Sequence, residues 1–414
     1  MSHKSVDYKL FFTVFALIIF GMVMISSVSV YSSFRLTSIF ERAGTIEEAY
    51  NHFYVLRNMS HVFIWLVALI FLVKIPYTFW EKYAHYVLGL NVFLLIYVLF
   101  FWVSLNGATW WIYLPGLPSI QPMEFMKFSM VVFLAYFFKK YQDRINTFQW
   151  WFLPFFWLVM LVVFLLWLQP DFWWILMIVP LMFLIFFMAW GWMKYILTLL
   201  SLGLFLIFTV YNLGSYDKSI PESRNKLSYI HDRFNNFLSD EQEQIENRTI
   251  NYQTEQALIA IWSGGFFGLG FVNSIQNFWY LPEVQWDFIF SVIIEELWFL
   301  WWLVLLFLYW YIWYRWYYIS YYSQDLFAKI VSFGITSWIL IQASINIWVN
   351  LNMMPLTWVT LPFISYWGSS LLALMLGLWI LLNISRHIDT SKGWKFMHVR
   401  AGNSSFEKRK TFMY

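Results

Sequence analysis

The chain has 414 residues, of which 61% are hydrophobic and only 12% are charged, with a formal net charge of +3. A soluble domain carries about 25% charged residues, so the composition excludes an ordinary soluble enzyme and favours an all-α membrane protein with several spans. The small net charge argues against a nucleic-acid partner. The chain has no cysteine, which excludes disulfides and thiolate metal sites, and its histidines include no pair at metal-ligand spacing.

Apolar blocks separated by polar breaks predict ten transmembrane helices. The first block is too long for the apolar region of a signal peptide, so it is interpreted as a retained span. The predicted spans are 9–30, 60–76, 86–104, 123–138, 150–167, 172–190, 193–212, 287–314, 326–348 and 359–384. They make residues 1–384 one transmembrane domain, with a large loop, 213–286, between the seventh and eighth helices and a basic tail, 385–414.

Lysine and arginine distinguish the two sides of the predicted bundle, because cytoplasmic loops retain them. Most of the 26 Lys and Arg fall on the side that carries both termini. The short loops on the other side hold only Arg35, Arg42 and Arg57. The distribution predicts that both termini are cytoplasmic and that the 213–286 loop is extracytoplasmic.

Four carboxylates lie where this loop runs into the eighth span: those of Glu283, Asp287, Glu295 and Glu296. An ionisable group at membrane depth costs about 3 kcal/mol, and such groups are kept where they line a wet cavity or take part in chemistry. The stretch therefore predicts an acidic site at the lip of a cavity.

This stretch also resembles a signature of the shape, elongation, division and sporulation (SEDS) proteins. The sequence of this stretch and that of residues 360–366 match the cell-division members of the family more closely than the elongation members. Ten spans with a large outer loop after the seventh are the family's architecture as well. The matching motifs are Tyr280-Leu-Pro-Glu283, Asp287-Phe-Ile-Phe290, Glu295-Glu-Leu297, Gln121-Pro-Met-Glu124 with Lys127, Gln169-Pro-Asp171, Asn346, Asn350, Pro355, Thr360-Leu-Pro-Phe-Ile-Ser-Tyr366 and Gly368-Ser-Ser370.

The resemblance implies a peptidoglycan glycosyltransferase in the bacterial cytoplasmic membrane. Its substrate would be lipid II, a disaccharide-pentapeptide on undecaprenyl pyrophosphate, polymerised during septal cell-wall synthesis. The implied partners are a class B penicillin-binding protein, which is a transpeptidase, and other division proteins. Three alternatives stay open: a transporter that moves lipid II across the membrane, a scaffold without chemistry, and an elongation-type polymerase.

Asp287 is the candidate general base for this chemistry, because it lies at the outward end of the eighth span and matches the family's aspartate. The alternative from sequence alone is that Asp287 only caps the helix. Glu283, four residues earlier, is a candidate substrate-binding residue that would raise the pKa of Asp287 or share a divalent cation, Mg²⁺ or Mn²⁺, with it.

The other candidate substrate-binding residues are Lys127, Glu124, Arg233 and Glu295. Lys127 and Glu124 have the i, i+3 spacing of an ion pair, and the alternative to that pair alone is a lysine that faces the cavity and meets the pyrophosphate or Asp287. Arg233 matches a family arginine in the outer loop, where a solvated charge is the default interpretation. Glu295 lies about two turns deeper than Asp287, either lining the pocket or holding the bundle together.

Tryptophan stands at many positions where the family has glycine. The chain has 28 Trp and 17 Gly, and this glycine content of about 4% is below the average of ~7%, although membrane helices need small residues at their crossings. We interpret many of these tryptophans as glycines of a bacterium that decodes UGA as glycine. Translating its UGA codons as tryptophan would give the pattern seen in this sequence. UGG codons at Trp262, Trp298, Trp348 and Trp367 would exclude this hypothesis. It also extends to Trp286, which would crowd the proposed site.

Overall fold

The computed structural model describes residues 6–100, 119–144, 147–168, 173–189, 248–297 and 299–388, together with Ile112, Leu197, Ser201 and Gly203. The longer helices are α1 (Tyr8–Val28), α2 (Val30–Arg42), α3 (Phe53–Leu72), α4 (Tyr77–Phe100), α5 (Pro122–Lys140), α6 (Leu153–Leu168), α7 (Trp173–Met188), α8 (Arg248–Ser263), α9 (Ile289–Leu297), α10 (Phe299–Tyr322), α11 (Leu326–Asn350) and α12 (Gly368–Ser385).

These helices confirm the all-α, polytopic membrane fold. Within the described ranges, six helical stretches are long and apolar enough to cross a bilayer, and the only β structure is one bridge between Ile112 and Ile120. The six are α1, α3, α4, residues 148–168 with α6, α11 and α12. The predicted seventh span, 193–212, lies almost entirely outside the described residues, so the count of ten remains a prediction.

Two predicted spans begin earlier than hydropathy indicated. Helix α3 starts at Phe53 instead of 60, and α4 starts at Tyr77 instead of 86. Their first turns carry polar side chains, such as those of Arg57 and Glu81, which lower the local hydropathy without interrupting the helix. The polar turns extend these helices beyond the apolar blocks.

The predicted tenth span, 359–384, is wrong in its first nine residues. Helix α12 begins only at Gly368, and residues 351–367 form a largely buried non-helical segment, called here the 351–367 segment. Pro362 cannot donate a helical hydrogen bond, and Phe363 has a left-handed backbone with φ of 66°. Both features oppose a continuous helix, although the side chains are apolar enough for one.

Contacts at both ends of α1 fix the ends of the bundle. At one end, Arg315 of α10 pairs with Asp7 at 2.6 Å, and the Asp7 N–H donates to Ser385 Oγ at the end of α12. At the other end, Ser27 Oγ donates to Glu296 of α9 at 2.5 Å. The 21 residues of α1 rise about 30 Å, the thickness of the hydrocarbon core. Asp7 and Ser27 therefore mark the two faces of the membrane.

Helices α11 and α12 form the centre of the bundle. Helix α11 packs against α5, α7 and α10, and α12 packs against α3 and α5. Helix α1 crosses the 351–367 segment at Gly21, where a Cβ atom would lie 2.7 Å from Ile364 Cα and 2.8 Å from its carbonyl oxygen. Only glycine permits this approach, so the crossing holds the segment inside the bundle at the Ser27 end.

Candidate active site at the Ser27 end of the bundle

Asp287 lies in a turn immediately before α9, and it is only 6% exposed. Its backbone carbonyl accepts hydrogen bonds from the side-chain amides of Asn346 at 2.9 Å and Asn350 at 3.0 Å. Both donors lie one helical turn apart on α11, which is itself buried. The two bonds fix the main chain of Asp287 against the most buried part of the bundle.

Asn350 also holds the beginning of α9. Its Oδ1 accepts from the backbone N–H of Ser291 at 3.2 Å and from the Ser291 hydroxyl at 2.6 Å. The first N–H groups of a helix lack intrahelical partners, and here a side chain from another helix supplies one. Asn350 therefore caps α9 at Ser291, and the capping role of Asp287 itself stays a prediction.

Side chains from α10 and α11 satisfy the backbone of the 351–367 segment. Gln342 Nε2 donates to the Thr360 carbonyl at 3.1 Å, and Asn346 Nδ2 donates to that of Val359 at 2.7 Å. The Tyr309 hydroxyl donates to the Pro362 carbonyl at 2.6 Å. Non-helical backbone at membrane depth needs such partners, so these polar side chains allow the segment to enter the bundle.

Lys127 and Glu124 form a fully buried ion pair on α5. Lys127 Nζ lies 2.6 Å from Glu124 Oε2 and 2.9 Å from Gln342 Oε1. It also lies 5.1 Å and 5.0 Å from the ring centroids of Trp174 and Trp338. The predicted i, i+3 pair is therefore present, and the lysine side chain is 0% exposed.

A polar stripe on α11 connects this pair with Asp287. Gln342, Asn346 and Asn350 lie at successive i, i+4 positions and are all buried, so they share one face of the helix. Gln342 contacts Lys127, whereas Asn346 and Asn350 contact Asp287. One helical turn rises about 5.4 Å, which places the ion pair about a turn deeper than the Asp287 carbonyl.

Glu283 lies at the rim of the site. Its backbone is left-handed, with φ of 58°, and its carbonyl accepts from the N–H groups of Trp286 at 3.1 Å and Asp287 at 3.2 Å. The side chain is solvent-exposed, but the surrounding protein still desolvates the carboxylate and raises the pKa of Glu283. Glu283 thus forms the turn that presents Asp287.

Among the described residues, protein side chains alone do not form a complete cage for a divalent cation. These residues contain no group of three or more His, Asp or Glu side chains that could hold a metal. Of the pair that sequence suggested, Glu283 is exposed whereas Asp287 is buried. Mg²⁺ is commonly bound through only one or two carboxylates together with waters and substrate phosphates, so the sharing of a divalent cation by Glu283 and Asp287 stays a prediction.

Glu295 contacts the loop before the site. Its carboxylate accepts from Ser274 Oγ at 2.5 Å and from the backbone N–H groups of Ile275 at 2.9 Å and Gln276 at 3.3 Å. Its own carbonyl accepts from the Leu269 N–H at 2.8 Å. These contacts are those of an anchor for the loop, and the role of Glu295 in substrate binding stays a prediction.

Aromatic side chains form a wall beside Asp287. Tyr54 lies edge-on to Trp286 and to Tyr366, with centroid distances of 6.0 Å and 5.1 Å, and Trp286 lies 6.2 Å from Trp367. Arg57 of α3 lies close enough to Tyr366 for its charge to act on the ring hydroxyl. Arg57 is thus a nearby cation that sequence reasoning used only for orientation.

The tryptophan hypothesis stays a prediction. Several buried indole N–H groups make no hydrogen bond among the described residues: those of Trp65, Trp80, Trp151, Trp316 and Trp379. Such groups normally find a partner, but unpaired indoles do not distinguish misread glycines from native tryptophans. Trp298 lies outside the described residues, and reading the codons remains the deciding measurement.

Of the predicted site residues, the structure connects Asp287, Lys127 and Glu124 through the α11 stripe and places Glu283 at the rim. Arg233 lies outside the described residues. Asn346 and Asn350 are predicted from the sequence only as family matches, without a role. Their i, i+4 spacing with Gln342 on an otherwise apolar helix was the signal for a polar stripe.

The fold and this site define a polytopic helical membrane protein with a buried aspartate held at one membrane face. The sequence model of the cell cycle protein family of FtsW, RodA and SpoVE matches residues 8–390. The chain therefore belongs to this family, which is the SEDS family that its motifs resemble.

Several curated proteins are similar to the chain over nearly its whole length. Stage V sporulation protein E of Bacillus subtilis is 31% identical over 386 residues, which cover 92% of this chain and 98% of that protein. Proteins named probable peptidoglycan glycosyltransferase FtsW from Trichlorobacter lovleyi and Bacillus subtilis are 31% and 32% identical. Those matches cover 92% and 95% of this chain and 93% of each relative.

Solved structures share the fold. A chain from a study of how a peptidoglycan synthase complex coordinates polymerization and crosslinking has a TM-score of 0.72 and 23% identity, with 92% of this chain and 98% of that chain covered. The rod shape determining protein RodA of Thermus thermophilus has a TM-score of 0.62 and 23% identity, with coverage of 92% and 97%. At these identities the likeness concerns the fold alone.

Proposed function

We propose that this protein is a peptidoglycan glycosyltransferase that polymerises lipid II into glycan strands at the outer face of the bacterial cytoplasmic membrane. Family membership and the names of the FtsW relatives support the reaction class. The observation that carries the proposal in this chain is Asp287, a nearly buried carboxylate whose main chain is fixed by Asn346 and Asn350 at one membrane face.

In the proposed reaction, Asp287 is the general base. The acceptor's sugar hydroxyl transfers its proton to the Asp287 carboxylate as the hydroxyl oxygen bonds to the anomeric carbon of the growing strand. The bond between that carbon and the lipid pyrophosphate breaks, and the pyrophosphate leaves with the electron pair. The two asparagine contacts hold the base in position before the substrate binds.

The developing charge on the pyrophosphate needs cations nearby. We propose Lys127 for this role, with Glu124 as its permanent partner, because a phosphate oxygen can replace Gln342 Oε1 at Lys127 Nζ without separating the buried ion pair. Arg233 of the outer loop is proposed as a second phosphate ligand on the family match. Glu283 at the rim and Glu295 are proposed to border the bound sugar.

The polymerase is tested with purified protein and lipid II, with the products separated by size on a gel. We expect glycan strands from the parent chain and from the control variant Glu47→Gln, which removes an exposed carboxylate at the same end of the bundle. Strands should be absent with Asp287→Ala. An Asp287→Ala protein that polymerises like the parent would contradict the role of Asp287.

A lipid II transporter is the second candidate. It is favoured by the buried Lys127–Glu124 pair and by the non-helical 351–367 segment, because charged pairs and interrupted helices at membrane depth are common in transporters. Parent protein that forms no glycan strands but carries fluorescent lipid II across a liposome bilayer would establish it in place of the polymerase.

We further propose a septal role, with a class B penicillin-binding protein and other division proteins as partners. Support comes from residues 280–290 and 360–366, which match the division-type members of the family more closely than the elongation-type members. Depletion in the source bacterium should give cells that elongate without dividing. Loss of elongation with normal septa would instead indicate the elongation role.

The proposed orientation places both termini in the cytoplasm. Asp7 and Ser385 share one end of the bundle with Lys139 and Arg315, whereas Ser27 and the site lie at the other. Because the chain has no cysteine, Glu47→Cys and Lys140→Cys can be labelled individually. An impermeant maleimide applied to intact spheroplasts should label the Glu47 position only, and the reverse pattern would invert the topology.

A further inference from the structure

Residues 264–282, called here the aromatic loop, have exposed apolar side chains and no charged ones. The loop contains no Asp, Glu, Lys or Arg. Phe266 is 80% exposed and Phe267 is 74% exposed. The other exposed apolar side chains of the loop are Phe271, Val272, Ile275, Phe278 and Tyr280. Exposed apolar side chains grouped on one segment mark a surface that protein or membrane lipid covers.

Hydrogen bonds fix the depth of the aromatic loop in the bundle. Its N–H groups at Leu269 and Gly270 donate to the carbonyls of Glu295 and Glu296 at 2.8 Å and 3.0 Å. The Asn277 amide donates to the Ser27 carbonyl at 3.3 Å. Since Ser27 ends the α1 span, the loop lies at the boundary between hydrocarbon and water.

The loop is also held close to α9 by a tight backbone contact. A Cβ atom at Gly264 would lie 2.5 Å from the Ile294 carbonyl oxygen and 2.8 Å from Glu295 Cα. With the Glu295 carboxylate bound to the Ser274–Gln276 turn, both arms of the loop are anchored. Its exposed rings therefore stand on a fixed base.

We infer that the aromatic loop inserts its exposed side chains into the acyl-chain region of the membrane leaflet at the Ser27 end. Lipid is the occupant that fits, because aromatic and aliphatic side chains without charge are the composition of membrane-interface segments. The apolar surface continues on α10, where Leu300 and Leu303 are exposed just beyond the Glu296 contact. The inference does not depend on the proposed enzymatic activity.

Fluorescence quenching tests this inference. Single variants Phe267→Cys and Ile275→Cys are labelled with an environment-sensitive fluorophore and reconstituted in phosphatidylethanolamine–phosphatidylglycerol vesicles that contain a brominated lipid. Controls are Phe93→Cys, at an exposed apolar position of the α4 span, and Glu47→Cys, in an exposed acidic loop. Two loop positions keep the test valid if one variant does not fold.

We expect blue-shifted emission at both loop positions, and brominated lipid should remove about half or more of the intensity that it removes at the Phe93 label. Aqueous iodide should quench only the Glu47 label strongly. Iodide quenching of both loop labels to the Glu47 level would overturn the inference, because it would show that the loop faces water. Protection from both quenchers would also overturn it, because protein and not lipid would then cover the loop.

Discussion

The central helices α11 and α12 and the peripheral helices α3 and α4 have similar apolar compositions but opposite environments. In the most apolar 18-residue stretch, 78% of α11 and 83% of α12 are buried inside the protein, against 22% of α3 and 28% of α4. Only α11 carries the polar stripe that reaches Asp287 and Lys127. The proposed catalytic residues are thus attached to the most buried helices of this comparison.

The largest expected effect is a difference in kcat between substitution of a central asparagine, Asn350, and of a peripheral one, Asn91. Asn350→Leu removes one support of the Asp287 carbonyl and the Ser291 cap, whereas Asn91→Leu removes one long bond from α4 to the Pro122 carbonyl. A small displacement of a reacting group can cost about 100-fold in rate. We expect Asn350→Leu to lower kcat for lipid II polymerisation by about that factor with little change in KM.

Asn91→Leu should keep most of its activity. Thermal unfolding of both variants in detergent provides the control, since a purely structural role for Asn350 would lower stability and leave kcat per folded molecule unchanged. Equal losses of kcat in the two variants would remove the distinction between the centre and the periphery.

The next effect compares a buried ion pair with a partly exposed one. Lys127→Met leaves Glu124 as a buried unpaired charge, which costs about 3–5 kcal/mol. Lys139 bonds to Glu81 at 2.7 Å and to Asp325 at 2.8 Å near the other membrane face, with 31% of the lysine and 23% of each carboxylate side chain exposed. Water screens these partly exposed charges, so Lys139→Met should cost clearly less than Lys127→Met. Thermal unfolding in detergent measures both.

The double variant Lys127→Met/Glu124→Leu serves as the control for that pair. It removes both charges, so it should recover much of the stability lost in Lys127→Met while remaining inactive. A Lys127→Met protein as stable as the parent would show that the ion pair is not buried in the membrane-embedded protein.

Two glycines provide a smaller, purely steric comparison. Gly21→Ala places a methyl group 2.7 Å from the Ile364 backbone, and such overpacking costs about 1–3 kcal/mol. At Gly89 of α4 no atom lies within 4 Å, so Gly89→Ala should raise stability by up to about 1 kcal/mol through helix propensity. Similar unfolding temperatures for the two variants would contradict the close α1 crossing.

The smallest expected effect concerns Glu283, whose pKa is raised from 4.5 by desolvation. A raised pKa means that the folded state binds the proton more tightly, so this contribution to stability is present below the unfolded pKa and is lost as the pH rises through the folded one. Glu283→Gln should therefore flatten the pH dependence of the unfolding temperature just above pH 4.5. Glu47→Gln is the control, and identical profiles for the two variants would contradict the shift.

The fold class and part of the site could be predicted from sequence. Long apolar blocks indicated a polytopic helical protein, and the i, i+3 spacing of Glu124 and Lys127 gave an ion pair that the structure confirms. These features depend on local composition and spacing. Local information is sufficient for them because a helix fixes the relation between neighbouring turns.

Contacts distant in sequence could not be predicted. Gln342 reaches Lys127 across 215 positions and Asn350 reaches Asp287 across 63, and no periodicity specifies which helices meet. The 351–367 segment was assigned partly to a span because its side chains are apolar. A hydropathy profile reports only the polarity of side chains. It does not show that Tyr309, Gln342 and Asn346 donate hydrogen bonds to carbonyls of the 351–367 segment, where a helix would use its own N–H groups.

The most direct test of the central claim is a parallel measurement of lipid II binding and glycan-strand formation by Asp287→Asn, which keeps the shape of the side chain and removes its basicity. We expect binding within a few-fold of the parent and a loss of strand formation of about 100-fold or more, the contribution typical of a general base. An Asp287→Asn protein that binds lipid II and extends strands at the parental rate would contradict the assignment of Asp287 as the base.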